Sequence, residues 1–401
     1  MLTSTFPRWN GDHEPPFVFE LTRRLTGYDV HVLAPHAPGI ATREVMDGIS
    51  IHRFRYAPAF LEHLAYEGGI PYKLRSRPWM ALLLPLFLFV QLVSTVRLIQ
   101  RIQPDAIHAH WLLPQGLIAL VARWLTRSKA RLIVTAHGAD VHGLRSRFAT
   151  MLKAWVIQKA DEVTAVSQAL ANAVSTTAQG ARKIHVMPMG VDLDQLFVPG
   201  KPRPRGQTLI FAGRLVEKKG VDCLLDAMPE ILMDFPSCHL LIAGDGPNRK
   251  QLVSRAEELG ISASVQFHGR YRNEELPQLY ARADIAAFPF QVARDGDQEG
   301  LGLVTIEAMG CGLPVVVSNL PAVHDVIKHE ENGLLCPTRD HSCLARAIKH
   351  LLSDEADALR IAKQGRQSVM LKFDWASVAA GYSDLLMGDE ATTSSRNASS
   401  L

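Results

Sequence analysis

Residues 295–314 read Asp295-Gly296-Asp297-Gln298-Glu299-Gly300-Leu301-Gly302-Leu303-Val304-Thr305-Ile306-Glu307-Ala308-Met309-Gly310-Cys311-Gly312-Leu313-Pro314. Glycines at 300 and 302 suit a loop whose backbone comes close to a ligand, and Leu303 to Met309 suits a short helix closed by Gly310 and Gly312. Pro314 to Val317 then reads as a buried strand. The start of that helix offers N–H groups and a positive dipole end to a diphosphate. Glu299 falls in the loop and Glu307 within the helix, so the carboxylates sit at different depths, placed for hydroxyl groups on two sugars and not for each other. That spacing does not suit a glycosidase, whose two carboxylates flank one bond. A plainer reading stays open, with Glu307 a solvated helix residue and Glu299 an N-cap.

Outward from this stretch, short apolar runs alternate with helical patterns. Thr208 to Ala212, His239 to Ala243, Val265 to His268 and Ile285 to Pro289 precede it as strands. In the first half Asp29 to Ala34, Ala106 to Ala109, Arg131 to Ala136, Glu162 to Ala165 and Ile184 to Met187 do the same, with Leu2 to Thr5 as the stub of a further strand. Such a βαβ succession implies parallel sheets. Between the two series, Pro199-Gly200-Lys201-Pro202-Arg203-Pro204-Arg205-Gly206 cannot propagate helix or sheet. The expected class is therefore α/β with two Rossmann-like, doubly wound domains, 1–198 and 207–373, joined by a linker at 199–206. A helix at 374–389 could pack back on either domain, and the polar tail at 390–401 has little to bury and is expected to be disordered.

The chain has 401 residues, too many for one ordinary core. Up to Gly190 it holds 21 Lys and Arg against 12 Asp and Glu, a net +9, and the remainder holds 22 against 28, a net −6. The basic first half favours an anionic partner such as a membrane surface or a lipid-linked phosphate, against the alternative of ordinary solvated side chains. No nucleic-acid partner is expected. Cys223, Cys238, Cys311, Cys336 and Cys343 show no metal or disulfide spacing, and Met1 to Asn10 lacks the pattern of a signal peptide, so a cytoplasmic setting is expected.

Trp79 to Val96 is apolar, broken by Pro85 and flanked by Lys73, Arg75, Arg77, Arg97 and Arg101. It is short for a spanning helix, which needs about 20 apolar residues. The favoured reading is a buried crossover helix, the next a helix lying in a membrane interface with its basic flanks on anionic lipid.

Phe211-Ala212-Gly213-Arg214-Leu215-Val216-Glu217-Lys218-Lys219-Gly220 follows a strand and precedes a helix. Arg214 and Lys219 either converge on a pyrophosphate, doing for a departing diphosphate what a metal does elsewhere, or are surface charges. Gly244 and Gly246 read as structural turns, and the turn after His268, at Gly269, as an approach to a base. Ile107-His108-Ala109-His110-Trp111 and Thr135-Ala136-His137-Gly138-Ala139-Asp140 both end strands. Their histidines suit a polar acceptor-side wall. Three histidines also suggest zinc, but no fourth ligand stands at a recognisable spacing, so no metal is expected.

With Glu299 and Glu307 in an E-x7-E pattern and Arg214 and Lys219 in a GRL…KG pattern, the sequence resembles glycosyltransferase family 4 over nearly its whole length. That resemblance implies the GT-B fold, two Rossmann-like domains facing across a cleft. It implies a sugar nucleotide donor and no cofactor besides, transfer to a glycan or lipid-linked acceptor, and retention of anomeric configuration. Glu307 would take the ribose hydroxyls, Glu299 the donor sugar, and the N–H groups of Gly300, Leu301, Gly302 and Leu303 sugar hydroxyls and phosphate. Arg214 and Lys219 would take the diphosphate, with Gly213 and Gly269 beside the donor. His137 and Asp140 are the catalytic candidates of the first domain, while His108 and His110 are structural or acceptor-facing. The family's first loop carries paired glycines; here it carries Gly11, followed by Asp12 and His13, and Arg8 and Gly11 are its donor-side candidates. Polysaccharide or exopolysaccharide assembly, at or near the inner face of a membrane, fits this set. A nucleotide-sugar epimerase or a glycan phosphorylase of the same fold, or a non-catalytic sugar-binding protein, are the other classes.

Overall fold

The computed structural model describes residues 1–387 apart from 10, 13, 15, 67–68, 144–145, 179, 181 and 202–203, with only the backbone at 71. The tail expected at 390–401 lies outside the described residues. The chain divides into two compact units, Met1–Gly190 together with the segment from Val378, and Val191–Ser377.

In the first unit the stub strand is reduced to Leu2, which bridges β1 (His31–Pro35) on one side and β4 (Ala106–His110) on the other. Its N–H donates to His108 O at 2.8 Å and its carbonyl accepts from His110 N at 3.0 Å. Outward from Leu2 run β1, β3 (Ile49–Phe54) and the antiparallel edge strand β2 (Arg43–Met46). On the other side run β4, β5 (Arg131–Ala136), β6 (Glu162–Ala165) and β7 (His185–Val186), all parallel. The order reverses between Leu2 and β4. The β2–β3 hairpin was not expected. It turns on Asp47 and Gly48, both at positive φ, a pairing suited to a tight hairpin.

The chain returns from β3 to β4 through a 3₁₀ turn, Pro78–Leu83, and a helix, Leu84–Ile102. The favoured buried crossover helix is met on one stripe only. Phe87, Gln91, Thr95 and Ile99, four residues apart, are buried, with the Phe87 ring edge-on to Tyr56 at 4.9 Å and to Phe54 at 5.1 Å. Trp79, Leu82, Leu86 and Phe89 stay exposed. From Val378 on, the last helix, Trp375–Met387, packs on this unit as well: Tyr382 OH donates to Met187 O at 3.1 Å and Tyr28 OH to Ser383 O at 3.1 Å.

The second unit is a six-stranded parallel sheet. Its strands are β8 (Thr208–Ala212), β9 (His239–Ala243), β10 (Val265–Gly269), β11 (Ile285–Phe288), β12 (Val315–Ser318) and β13 (Leu334–Cys336). They lie in the order β10-β9-β8-β11-β12-β13. Numbered within the unit this is 3-2-1-4-5-6, the doubly wound dinucleotide-fold order, with its switch point between β8 and β11. Every residue of β11 and β12 is buried, as a strand covered on both faces requires. β13 is too short to have stood out in the sequence. The boundary expected at 199–206 comes earlier, because Leu193 and Phe197 are buried in the second unit. The Arg366 guanidinium holds their loop, donating to Leu193 O and Phe197 O at 3.2 Å each.

Candidate functional site

The loops leaving β8 and β11 are fastened to one another at the switch point. Gly220 closes the first with φ +65°, and a Cβ there would stand 1.8 Å from Pro289 O, so the two backbones touch where only glycine fits. Gln291, buried just past β11, donates from its backbone N–H to Lys218 O at 2.9 Å and from Nε2 to Glu217 O at 2.7 Å. Lys218 Nζ reaches Asp297 Oδ1 at 3.2 Å. Neither Gln291 nor Phe290 stood out in the sequence, since a polar or aromatic residue after a strand carries no signal until the neighbouring loop is known.

This fastening brings Lys219 and Glu299 together, with Nζ 2.7 Å from Oε2 and both side chains largely buried. The Phe290 ring lies under the ammonium at 4.7 Å, a cation–π contact. Burial works against a charged Glu299, but Lys219 and then Lys218 outweigh it and hold the pKa down at about 2. Gly302, at φ +82°, starts the helix Leu303–Gly310, which carries Glu307 one turn in. Burial pushes Glu307 up to about 7, with Lys219 pulling weakly the other way. Its Oε2 is buried and accepts no hydrogen bond among the described residues. One ammonium thus stands near two acids of opposite tendency, and the second has an unfilled acceptor. Tyr280 OH donates to Val304 O at 3.0 Å and steadies the start of the helix.

Arg214 follows Gly213 at the C-terminal end of β8, on the loop that ends in Lys219. Gly213 N donates to Ala243 O at 2.9 Å, and Gly244 N to Gly269 O at 2.8 Å, tying the ends of β8, β9 and β10. Gly244 is packed so closely that a Cβ would lie 1.9 Å from Gly213 O, while the Cβ position of Gly269 is open. Gly300 and Leu301 are buried in the loop between Glu299 and the helix.

In the first unit, Asp140, a catalytic candidate from the sequence, holds three backbone N–H groups. Its buried carboxylate accepts from Leu112 N at 2.7 Å, Gly138 N at 3.1 Å and His137 N at 3.2 Å, and so clamps the loops after β4 and β5. Burial raises its pKa in spite of these bonds. His137 stands beside it, partly exposed, against Phe17 and Trp111. His108 and His110 are buried. Among the described residues no group of three or more His, Cys, Asp or Glu is arranged to hold a metal ion. In the first loop the Arg8 guanidinium forms a two-point ion pair with Asp12, at 2.8 and 2.9 Å, which fixes it within the loop. Gly11 has φ +76° with open space at its Cβ position, so conformation rather than crowding calls for glycine there. His13 lies outside the described residues.

Residues 17–195 match the family described as Glycosyltransferase Family 4, and residues 195–368 the one described as Glycosyl transferases group 1. Glycogen synthase of Mycobacterium tuberculosis is 30% identical over 283 residues, 69% of this chain and 67% of the relative. A GDP-mannose-dependent alpha-(1-6)-phosphatidylinositol monomannoside mannosyltransferase of the same organism is 28% identical over 404 residues, 98% of each chain. The crystal structure of Anabaena HepE in complex with UDP is similar with a TM-score of 0.73 and 19% identity, over 96% of this chain and 98% of that one, a likeness of fold. With these matches and with two doubly wound units each built around a switch point, the chain belongs to glycosyltransferase family 4 and is a glycosyltransferase of the GT-B fold.

Proposed function

We propose that the protein moves a hexosyl group from a nucleoside-diphosphate sugar to a hydroxyl of a glycan or lipid-linked acceptor, with retention and without a metal. The observation that carries this is the Lys219 ammonium held beside an ionised Glu299 and near a Glu307 whose buried Oε2 has no partner. A ribose supplies the hydroxyl donors that Glu307 lacks. Lys219 and Arg214 take the diphosphate, where Lys219 adds a compact charge and Arg214 a planar fork of donors. Glu299 accepts from a hydroxyl of the donor sugar, and the N–H groups from Gly300 to Leu303 serve sugar hydroxyls and phosphate. The acceptor oxygen forms its bond to the anomeric carbon on the face the diphosphate leaves, and the departing phosphate oxygen takes the acceptor's proton. The two cations stabilise the charge that builds on that oxygen, the task a metal performs in other transferases.

The relative's name carries GDP-mannose and the structural neighbour carries UDP, which supports a nucleoside diphosphate and leaves the base open. The relative's name also carries a phosphatidylinositol glycoside, which supports a lipid-linked acceptor. The exposed Trp79, Leu82, Leu86 and Phe89, with Arg75, Arg77, Arg97 and Arg101 exposed on either side, suit an anionic membrane face. Five free cysteines fit a reducing compartment. The experiment is a mass-spectrometric screen of UDP, GDP and ADP sugars with soluble and lipid-linked acceptors. Transfer from at least one donor, dependent on acceptor, is expected, and conversion of donor without acceptor would favour an epimerase.

A further inference from the structure

His108 and His110 lie on one face of β4, two residues apart, and the parallel register sets His110 opposite Thr135, so the chain of β5 brings His137 up beside His110. The His108 and His110 rings are 4.3 Å apart, and those of His110 and His137 are 5.2 Å apart and nearly parallel. Loss of water around the ring nitrogens holds all three neutral, His137 included although part of its surface stays exposed, with His108 and His137 pushed down to about 3 and His110 well below its ordinary value. Each ring therefore carries one N–H and one bare nitrogen.

The hydrogen bonds decide which is which. His108 Nε2 meets Thr135 Oγ1 at 2.7 Å, Thr135 Oγ1 meets Thr164 Oγ1 at 2.6 Å, and His110 Nδ1 meets His137 Nε2 at 3.0 Å. His108 Nδ1 and His110 Nε2 are buried with no partner among the described residues. A buried N–H without an acceptor is rarer and costlier than a lone pair without a donor, so both orphaned nitrogens are the bare ones. His110 then carries its proton on Nδ1 and donates it to His137 Nε2. His137, accepting at Nε2, keeps its own proton on Nδ1. Phe17 at 5.0 Å and Trp111 at 4.9 Å fix the plane of that ring, and Tyr382 stacks on His108 at 5.3 Å at the far end of the row.

We propose that His110 is a positioning residue that locks His137 as its Nδ1–H tautomer, so that His137 offers a hydrogen-bond donor, not a base, to an oxygen of the substrate. This rests on the reading of the first unit's strand ends as a substrate-binding surface. It has a chemical consequence: with its Nε2 lone pair engaged by His110, His137 is not the group that takes the acceptor's proton, which fits the proposed transfer of that proton to the departing phosphate oxygen.

Long-range proton–nitrogen NMR on the full chain, labelled with ¹⁵N-histidine, reads the tautomer directly and without turnover. The expected result is a protonated Nδ1 and a bare Nε2 on His137. Titration with a nucleoside diphosphate alone, then with the sugar nucleotide, then with acceptor shows which substrate's oxygen moves the Nδ1 signal. His110→Phe keeps a ring and removes the donor, and should mix the His137 tautomers and lower kcat/KM about tenfold, the worth of one hydrogen bond. His110→Asn restores a side-chain N–H and should recover most of that loss with the original tautomer. A wild-type His137 protonated on Nε2 would overturn the proposal even if the variants failed to fold. So would a His137 signal that no substrate perturbs. A failure of the retaining-transfer reading would appear separately, in the products.

Discussion

Lys219 Nζ stands 2.7 Å from Glu299 Oε2, although the two residues are eighty positions apart. The contact exists because Gly220 lets the loop after β8 touch the loop after β11, and because Gln291 of the second loop donates to two backbone carbonyls of the first, at Glu217 and Lys218. If the proposed diphosphate binds there, a charge so placed meets it with little water to screen it. Lys219→Ala should lower kcat/KM by at least about a hundredfold, the loss of a charged contact made in the transition state, with acceptor affinity little changed. Arg214→Ala should act in the same direction. Steady-state kinetics at varied donor and acceptor check both, and unchanged turnover in either would count against the diphosphate site.

The two acids titrate with opposite signs. Glu299, held down at about 2, contributes stability that is present above its unfolded value near 4.5 and lost as pH falls from there toward 2. Glu307, raised to about 7, contributes stability that is full below about 4.5 and lost as pH rises through 7. Glu307→Gln should therefore be more stable than the parent at pH 8, by about 3 kcal/mol, and equal to it at pH 4. Chemical denaturation at the two pH values tests this. A parent that gains on the variant as pH rises would show that Glu307 is ionised and satisfied in the free protein.

Nucleotide binding should follow the same group. Ribose hydroxyls donate to a carboxylate better than to a carboxylic acid, so nucleoside diphosphate affinity is expected to rise as pH climbs from 6 to 8. In Glu307→Gln that rise should disappear, as calorimetric titration would show. The same slope in both proteins would move the effect to another residue.

Gly220→Ala tests the junction itself. With the added Cβ 1.8 Å from Pro289 O and φ at +65°, one of the two loops must shift. A loss of at least about 2 kcal/mol in stability is expected, together with weaker nucleotide binding. A stable variant with normal affinity would show that the loops can part without harm to the site.

Replacement of Leu82, Leu86 and Phe89 together by Gln removes exposed apolar surface from the crossover segment while leaving its buried stripe, Phe87, Gln91, Thr95 and Ile99, in place. Sedimentation with anionic vesicles should fall at least about tenfold while turnover on a soluble acceptor stays the same. Equal vesicle binding by variant and parent would contradict a membrane role for this face.

Much of the fold was legible because strands covered on both faces read as unbroken apolar runs, as β11 and β12 do. Glu299, Glu307 and Lys219 were legible as candidates, and their meeting at one switch point follows from the 3-2-1-4-5-6 order. The β2–β3 hairpin has a local signal, Asp47-Gly48 between alternating residues, too short to stand out beside the longer apolar runs. Gln291, Phe290 and the clamp made by Asp140 had none. Their roles are set by backbone groups from distant segments, which no local pattern announces. The same holds for the boundary after Gly190, because the Pro- and Gly-rich stretch marks where regular structure stops, whereas the packing of Leu193 and Phe197 decides which unit holds the chain.

The most direct test of the central claim is the anomeric configuration of the product formed from an α-linked sugar nucleotide, read by NMR during the first turnovers. An α-linked product is expected, formed only with acceptor present and lost in Lys219→Ala. A β-linked product, or conversion of the donor at full rate without acceptor, would contradict that claim.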